Sequence, residues 1–155
     1  MLKRVVVSLA LLLFVFANVP NLSSAAKDPA VPPPPPPTEE FNSEESLMST
    51  LYLKVWQVWI QHLGDNVLNI MGDTEAYEDV DIVRVTLYIQ YWNGSQWVDG
   101  AYVGTFEDYD TDYVWGAKYA VVSSGYHYRT KGIHYVNKSG SWEQVNSYSG
   151  SIYIP

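Results

Sequence analysis

The chain reads as an all-β, antiparallel domain, and three observations predict that class. None of its 9 prolines falls between Thr38 and Ile154, whereas all 10 glycines fall between Gly64 and Gly150. A proline-free, glycine-punctuated body suits paired strands joined by tight turns. From Ile82 to Trp92 the apolar residues alternate: Val83, Val85, Leu87, Ile89 and Tyr91 share one face, and Arg84, Thr86, Tyr88, Gln90 and Trp92 share the other. That is the period of a half-buried strand. No segment of helical period is long enough to cross between parallel strands. Together these predict a sandwich of immunoglobulin or fibronectin-III type with about seven strands.

Taken from the amino terminus, Lys3 and Arg4 precede an apolar run from Val5 to Ala17, and Ser24-Ala25-Ala26 supplies the small residues a signal peptidase needs. This is the layout of a cleaved secretory leader over residues 1–26, too short for a comfortable membrane span and broken by Pro20. The mature protein is expected to start near Lys27, outside the cell and with no membrane span. Residues 27–46 read as a linker. Pro32 to Pro37 are expected to form a polyproline II rod of roughly 19 Å at about 3.1 Å per residue, and Glu39, Glu40, Glu44 and Glu45 follow among Asn and Ser. The β-domain is expected over 47–155. Its strands read as Leu51 to Ile60, Val67 to Met71, Ile82 to Trp92, Trp97 to Phe106, Tyr113 to Val122, Tyr126 to Val136 and Trp142 to Ile154, each rich in β-branched and aromatic residues. Turns fall at Gly64-Asp65-Asn66, Asn93-Gly94, Ser123-Ser124-Gly125 and Lys138-Ser139-Gly140. Asn93-Gly94 predicts a tight type I′ hairpin with aromatics on both arms.

The segments Gly125-Tyr126-His127-Tyr128-Arg129-Thr130-Lys131-Gly132-Ile133-His134-Tyr135-Val136 and Val83-Arg84-Val85-Thr86-Leu87-Tyr88-Ile89-Gln90, the Asn-Gly-x-x-Trp hairpin and the closing Ser147-Tyr148-Ser149-Gly150-Ser151-Ile152 together resemble an uncharacterised family of small secreted proteins of Gram-positive bacteria. The likeness runs from about Val55 to Ile154. It implies a leader followed by one β-sandwich of unknown function and no activity; the proline rod departs from the family's pattern.

Composition narrows the function. Of 9 Lys plus Arg, Lys3 and Arg4 belong to the leader, so against 17 Asp plus Glu the mature balance is 7 minus 17, or −10. Nucleic acid and anionic membranes need clustered positive charge and are excluded as partners. With no cysteine, the fold is held by packing rather than disulfides, and nucleophilic thiol chemistry and lipobox anchoring are excluded. No Gly-x-Ser-x-Gly elbow is present. Nor is the end of the chain a cell-wall sorting signal. His127 and His134 are seven apart on one strand, hence on opposite faces and unable to share an ion; His134 reads as a hydrogen-bonded core residue.

Two acidic clusters, Glu75/Glu78/Asp79/Asp81 and Glu107/Asp108/Asp110/Asp112, read first as solvated turns. A carboxylate pair from them is the one enzymatic route left open, that of a secreted hydrolase. Asp108, Asp110 and Asp112 also alternate like the opening of a calcium loop, but Tyr113 and Tyr119 stand where an EF-hand has its glycine and its glutamate. Calcium at these three aspartates is the only cofactor the sequence leaves open. The bases after Tyr113 are expected to pair internally with the acids before it. All 13 Tyr and 6 Trp follow residue 50, more than one core absorbs. The surplus predicts an aromatic surface for sugar rings or a protein partner, with Trp56, Trp92 and Trp97 as its candidates. The function expected is therefore a non-catalytic extracellular binding module for a glycan or protein. A component of an extracellular matrix or coat, built through strand edges, is a third possibility.

Overall fold

The computed structural model describes Pro34, Pro35 and residues 50–155. The expected leader, most of the expected linker and the expected start of the domain at Leu47 lie outside the described residues. Six antiparallel strands and no helix make up the rest: β1 (Leu53–Gly64), β2 (Val67–Trp92), β3 (Trp97–Val121), β4 (Tyr126–Lys138), β5 (Ser141–Tyr148) and β6 (Ile152–Ile154). They belong to one curled sheet in the order β1-β2-β4-β5, with β3 also on β2 and β6 also on β4.

The seven expected runs become six because two gaps are bridged and one run is broken. Val67–Met71 and Ile82–Trp92 are the two halves of β2, joined through an acidic stretch that reads as a turn. Leu68, Ile70, Gly72, Thr74 and Ala76 are buried in the first half and Val83, Val85, Leu87 and Ile89 in the second. The buried parity changes from even to odd, and it does so at a bulge: five steps of β2, Glu75 to Val80, pass two steps of β3, Tyr113 to Thr111. Extra residues in one strand bend it and redirect its faces. Asp110, in the left-handed region at φ 53°, marks the same bend in β3. Aspartate is depleted in strands, so the pattern hid a continuous ladder. The closing run is instead split. Ser149 Oγ accepts from Thr130 N (2.9 Å) and Ser149 N donates to Thr130 O (3.0 Å), which carries the chain past a break between β5 and β6.

The bend divides the sheet into two wings. β1, the first half of β2 and the second half of β3 form one; the first half of β3, the second half of β2, β4, β5 and β6 form the other. Their inner faces share one core that includes Leu53, Val58, Leu68, Ile70, Val83, Val85, Leu87, Val114, Val136 and Ile154. Side chains rather than a ladder tie β1 to the far wing. Glu143 accepts backbone N–H groups from Leu51, Tyr52 and Leu53 at 2.6 to 3.2 Å, and Thr130 Oγ1 donates to Trp59 O at 3.0 Å.

The turns follow the sequence with one exchange. Trp92 pairs with Trp97 across a four-residue loop in which Asn93 Oδ1 accepts from Ser95 N and Gln96 N (both 2.9 Å) and only Gly94 has positive φ. The expected type I′ geometry instead appears at Ser139-Gly140, φ 51° and 85°, between the paired Lys138 and Ser141.

Candidate functional site

The outer faces of the two wings have opposite characters. On the five-element wing, most polar and aromatic side chains engage one another, although Trp92 Nε1 is buried without a hydrogen-bond partner. Arg129 lies between the rings of Trp97 (4.4 Å) and Tyr148 (4.3 Å) and donates to Gln90 Oε1 (2.7 Å). Gln90 in turn donates to Asp99 (2.6 Å), which also meets Lys131 (3.2 Å). Arg84 bonds Glu107 at 2.5 Å and covers the Tyr135 ring at 4.6 Å, and Tyr135 stacks on Trp142. The Gln90 amide, then Lys131 and Arg129, hold the Asp99 carboxyl below its usual range; the Tyr109 hydroxyl and Arg84 do the same for Glu107. Lys131 on Asp99 and Lys138 on Glu78 (2.8 Å) pair bases after Tyr113 with acids before it, as the uneven charge predicts.

The three-stranded wing is different. Register places its outward residues in rows: Val55, Glu75, Tyr113; Gln57, Asp73, Trp115; Trp59, Met71, Ala117; Gln61, Asn69, Tyr119. Trp59 is 41% exposed, Trp115 53% and Tyr119 69%. Trp115 and Tyr119 stand four residues apart on β3, about 13 Å along a strand, with Trp59 two strands away, about 10 Å, opposite the gap between them. Ala117 and Met71 fill the floor between the three rings. Asn69 and Asp73 flank Met71 on the central strand, and the Oδ1 atom of each is buried without a hydrogen-bond partner. Burial raises the Asp73 carboxyl above its usual range, aided by Glu75, while the Gln57 backbone N–H and the Tyr113 hydroxyl act the other way. Chemically this surface offers stacking planes over a polar floor in which the Asn69 and Asp73 Oδ1 atoms are closed off from solvent.

The aromatic residues singled out from sequence are not the ones on this face. Trp56 points inward and packs against the core, Trp92 is buried and meets Trp97 edge-on at 5.6 Å, and Trp97 lies under Arg129. β1 carries a Trp on each face, as its alternation requires, and the exposed one is Trp59. A register irregularity between Leu53 and Val55 turns both Leu53 and the partly buried Trp56 toward the core. The signal for Trp115 and Tyr119 was legible: Tyr113, Trp115, Tyr119 and Val121 alternate with Val114, Gly116 and Ala120, and the small residues mark the packed side. An added Cβ at Gly116 would fall 2.0 Å from the Phe106 ring.

Asp108, Asp110 and Asp112 lie along β3 beside the bend, and among the described residues no group of three or more His, Asp or Glu is placed to hold a metal ion. His127 is half-buried with its ring tilted against Tyr153 at 5.0 Å, whereas His134 is fully buried. The Thr74 hydroxyl donates to Arg84 O (3.0 Å), so its oxygen accepts from His134 Nδ1 (2.8 Å), and Nε2 accepts from the Ser147 hydroxyl (2.6 Å). This Ser-His-Thr chain has the polarity of a nucleophile and its base, but its third member is neutral and burial pushes the imidazole down to about 4. It ties β2, β4 and β5 together beneath the closure. Set against protein-family models, curated proteins and solved structures, the chain matches none.

Proposed function

We propose that the chain is an exported, non-catalytic binding module whose three-stranded outer face takes a neutral, hydroxyl-rich glycan of the cell envelope or its surroundings. The observation that carries this reading is the three-stranded face itself: Trp59, Trp115 and Tyr119 stand exposed around Met71 and Ala117, whereas the exposed Trp142 and Tyr102 of the other face are paired with Tyr135 and Tyr88. The C–H faces of sugar rings stack on aromatic planes, and their hydroxyls find hydrogen-bond partners in the exposed Gln57 and Gln61 amides of the same face. The acidic balance disfavours anionic polymers. The leader and the resemblance to small secreted Gram-positive proteins support a place outside the cell, and the proline rod would act as a spacer.

Affinity electrophoresis or calorimetry against neutral wall and matrix polysaccharides tests the reading. Trp59→Ala and Trp115→Ala should each weaken binding at least about tenfold, roughly 1.4 kcal/mol, while Trp142→Ala leaves it unchanged.

One observation favours a second reading. Asp73, with its raised carboxyl, and Glu75 occupy the same face two residues apart, about 7 Å along the strand, within the span of a hydrolytic carboxylate pair. Glu75 is engaged by Lys54 at 2.5 Å, however, and the face is an open sheet rather than a cleft. Release of reducing ends that Asp73→Asn abolishes would establish the hydrolase instead.

A further inference from the structure

Among the described residues β3 pairs with β2 and with no other strand, so its other flank is a sheet edge along its whole length. Edges expose a row of N–H and C=O groups that invites another strand, and proteins blunt them with charge, proline or bulges. β3 does so unevenly. Its first half carries Asp99, Glu107, Asp108 and Asp110, and the left-handed Asp110 kinks it. The nine residues Tyr113–Val121 hold one charge, Lys118, and no proline, and their register against Val67–Glu75 is unbroken.

These nine residues are self-complementary. In an antiparallel pair of identical strands about a two-fold axis at Ala117, Trp115 meets Tyr119 of the other copy twice over. Tyr113 meets Val121, Val114 meets Ala120, and Lys118 meets Gly116, which has no side chain to oppose it. Directly opposed residues share a face, so both aromatic pairs lie on the outer side and the small residues on the inner side. Moving the axis to Lys118 sets two ammonium groups against each other. Moving it to Gly116 sets Lys118 against Val114 and draws Asp112 into the ladder. The charge pattern therefore selects one register.

We propose that a second copy of this chain adds to the Tyr113–Val121 edge, β3 to β3, in the register centred on Ala117. The contact is isologous. It joins two three-stranded wings into one six-stranded sheet and makes the exposed aromatic faces of both copies continuous. The inference rests on the edge and not on the glycan reading, and a monomeric glycan binder or a non-binding dimer would separate the two.

The chain has no cysteine, which makes the register directly testable on the full exported protein. Directly opposed Cα atoms in an antiparallel pair lie about 4.5–5.5 Å apart, inside the range a disulfide bridges. Ala117→Cys should give a disulfide-linked dimer as its main product under mild oxidation, and Thr105→Cys, on the charged half of the same strand, should not. Sedimentation equilibrium of the unaltered chain should show a dimer in the micromolar range. Ala117→Lys, at an outward position that does not enter the core, should weaken it at least about tenfold with an unchanged circular dichroism spectrum. A monomer throughout that range with no cross-link at 117 would overturn the proposal. So would a dimer indifferent to Ala117→Lys, or cross-linking at 105 as fast as at 117.

Discussion

A Cβ on Gly132 would stand 2.5 Å from Val58 Cγ1, so β1 approaches β4 as closely as the missing side chain allows. The same atom would lie 2.6 Å from His134 Nε2 and 3.0 Å from Ser147 Oγ. Three neighbours on three strands cannot all yield at once. Gly132→Ala should therefore destabilise the domain by about 1–3 kcal/mol, the usual range for overpacking a dense core. Urea denaturation measures it, and a loss below about 0.5 kcal/mol would mean that the wings are not closed at this point.

Glu143 makes a second prediction about the closure. Its carboxylate accepts from the backbone of Leu51, Tyr52 and Leu53, and charge-assisted bonds of this kind are worth about 1.5–3 kcal/mol when made well. The site is partly exposed, so Glu143→Gln should cost about 1 kcal/mol. The loss should be local. Hydrogen exchange should accelerate at Leu51 to Leu53 and not at Val83 to Ile89 in the core.

The buried histidine fixes the response to acid. Burial pushes the His134 imidazole down to about 4 in the folded chain from its ordinary 6.5, so between those values the unfolded chain binds more protons than the folded one. Stability is full above pH 6.5 and falls as pH drops toward 4, by about 3 kcal/mol at 1.36 kcal/mol per unit. Asp99 and Glu107, held below their usual range, add losses only at lower pH, and Asp73, raised, acts in the opposite sense. Denaturation midpoints at pH 7, 5.5 and 4.5 should show the slope, and His134→Gln should remove it.

Processing gives a fourth. Mass spectrometry of the secreted protein should find a mature amino terminus at Ala26 or Lys27; a full-length chain in the membrane fraction would contradict export.

How far the sequence reached depended on which forces local pattern records. Alternation in Val83 to Tyr91 reports one-sided burial directly, and the all-β class and the ladder of the second half of β2 follow from it. The joining of strands through Glu75 to Asp81 was hidden, because a bulge at a sheet bend tolerates acids that strand propensity penalises. The aromatic face was half legible. Composition shows a surplus of Trp and Tyr, but whether Trp56 or Trp59 faces water turns on a one-residue register slip near Leu53, a long-range property of the pairing with β2. Trp97 looks free in sequence because its cover, Arg129, comes from a different strand.

The most direct measurement is nuclear magnetic resonance of the indole N–H signals of all 6 tryptophans during titration with a bound saccharide. Trp59 and Trp115 should shift together and saturate at one affinity, while Trp92, Trp97 and Trp142 stay in place. Shifts at Trp97 or Trp142 with Trp59 and Trp115 unmoved would put the ligand on the opposite wing and contradict the proposed face.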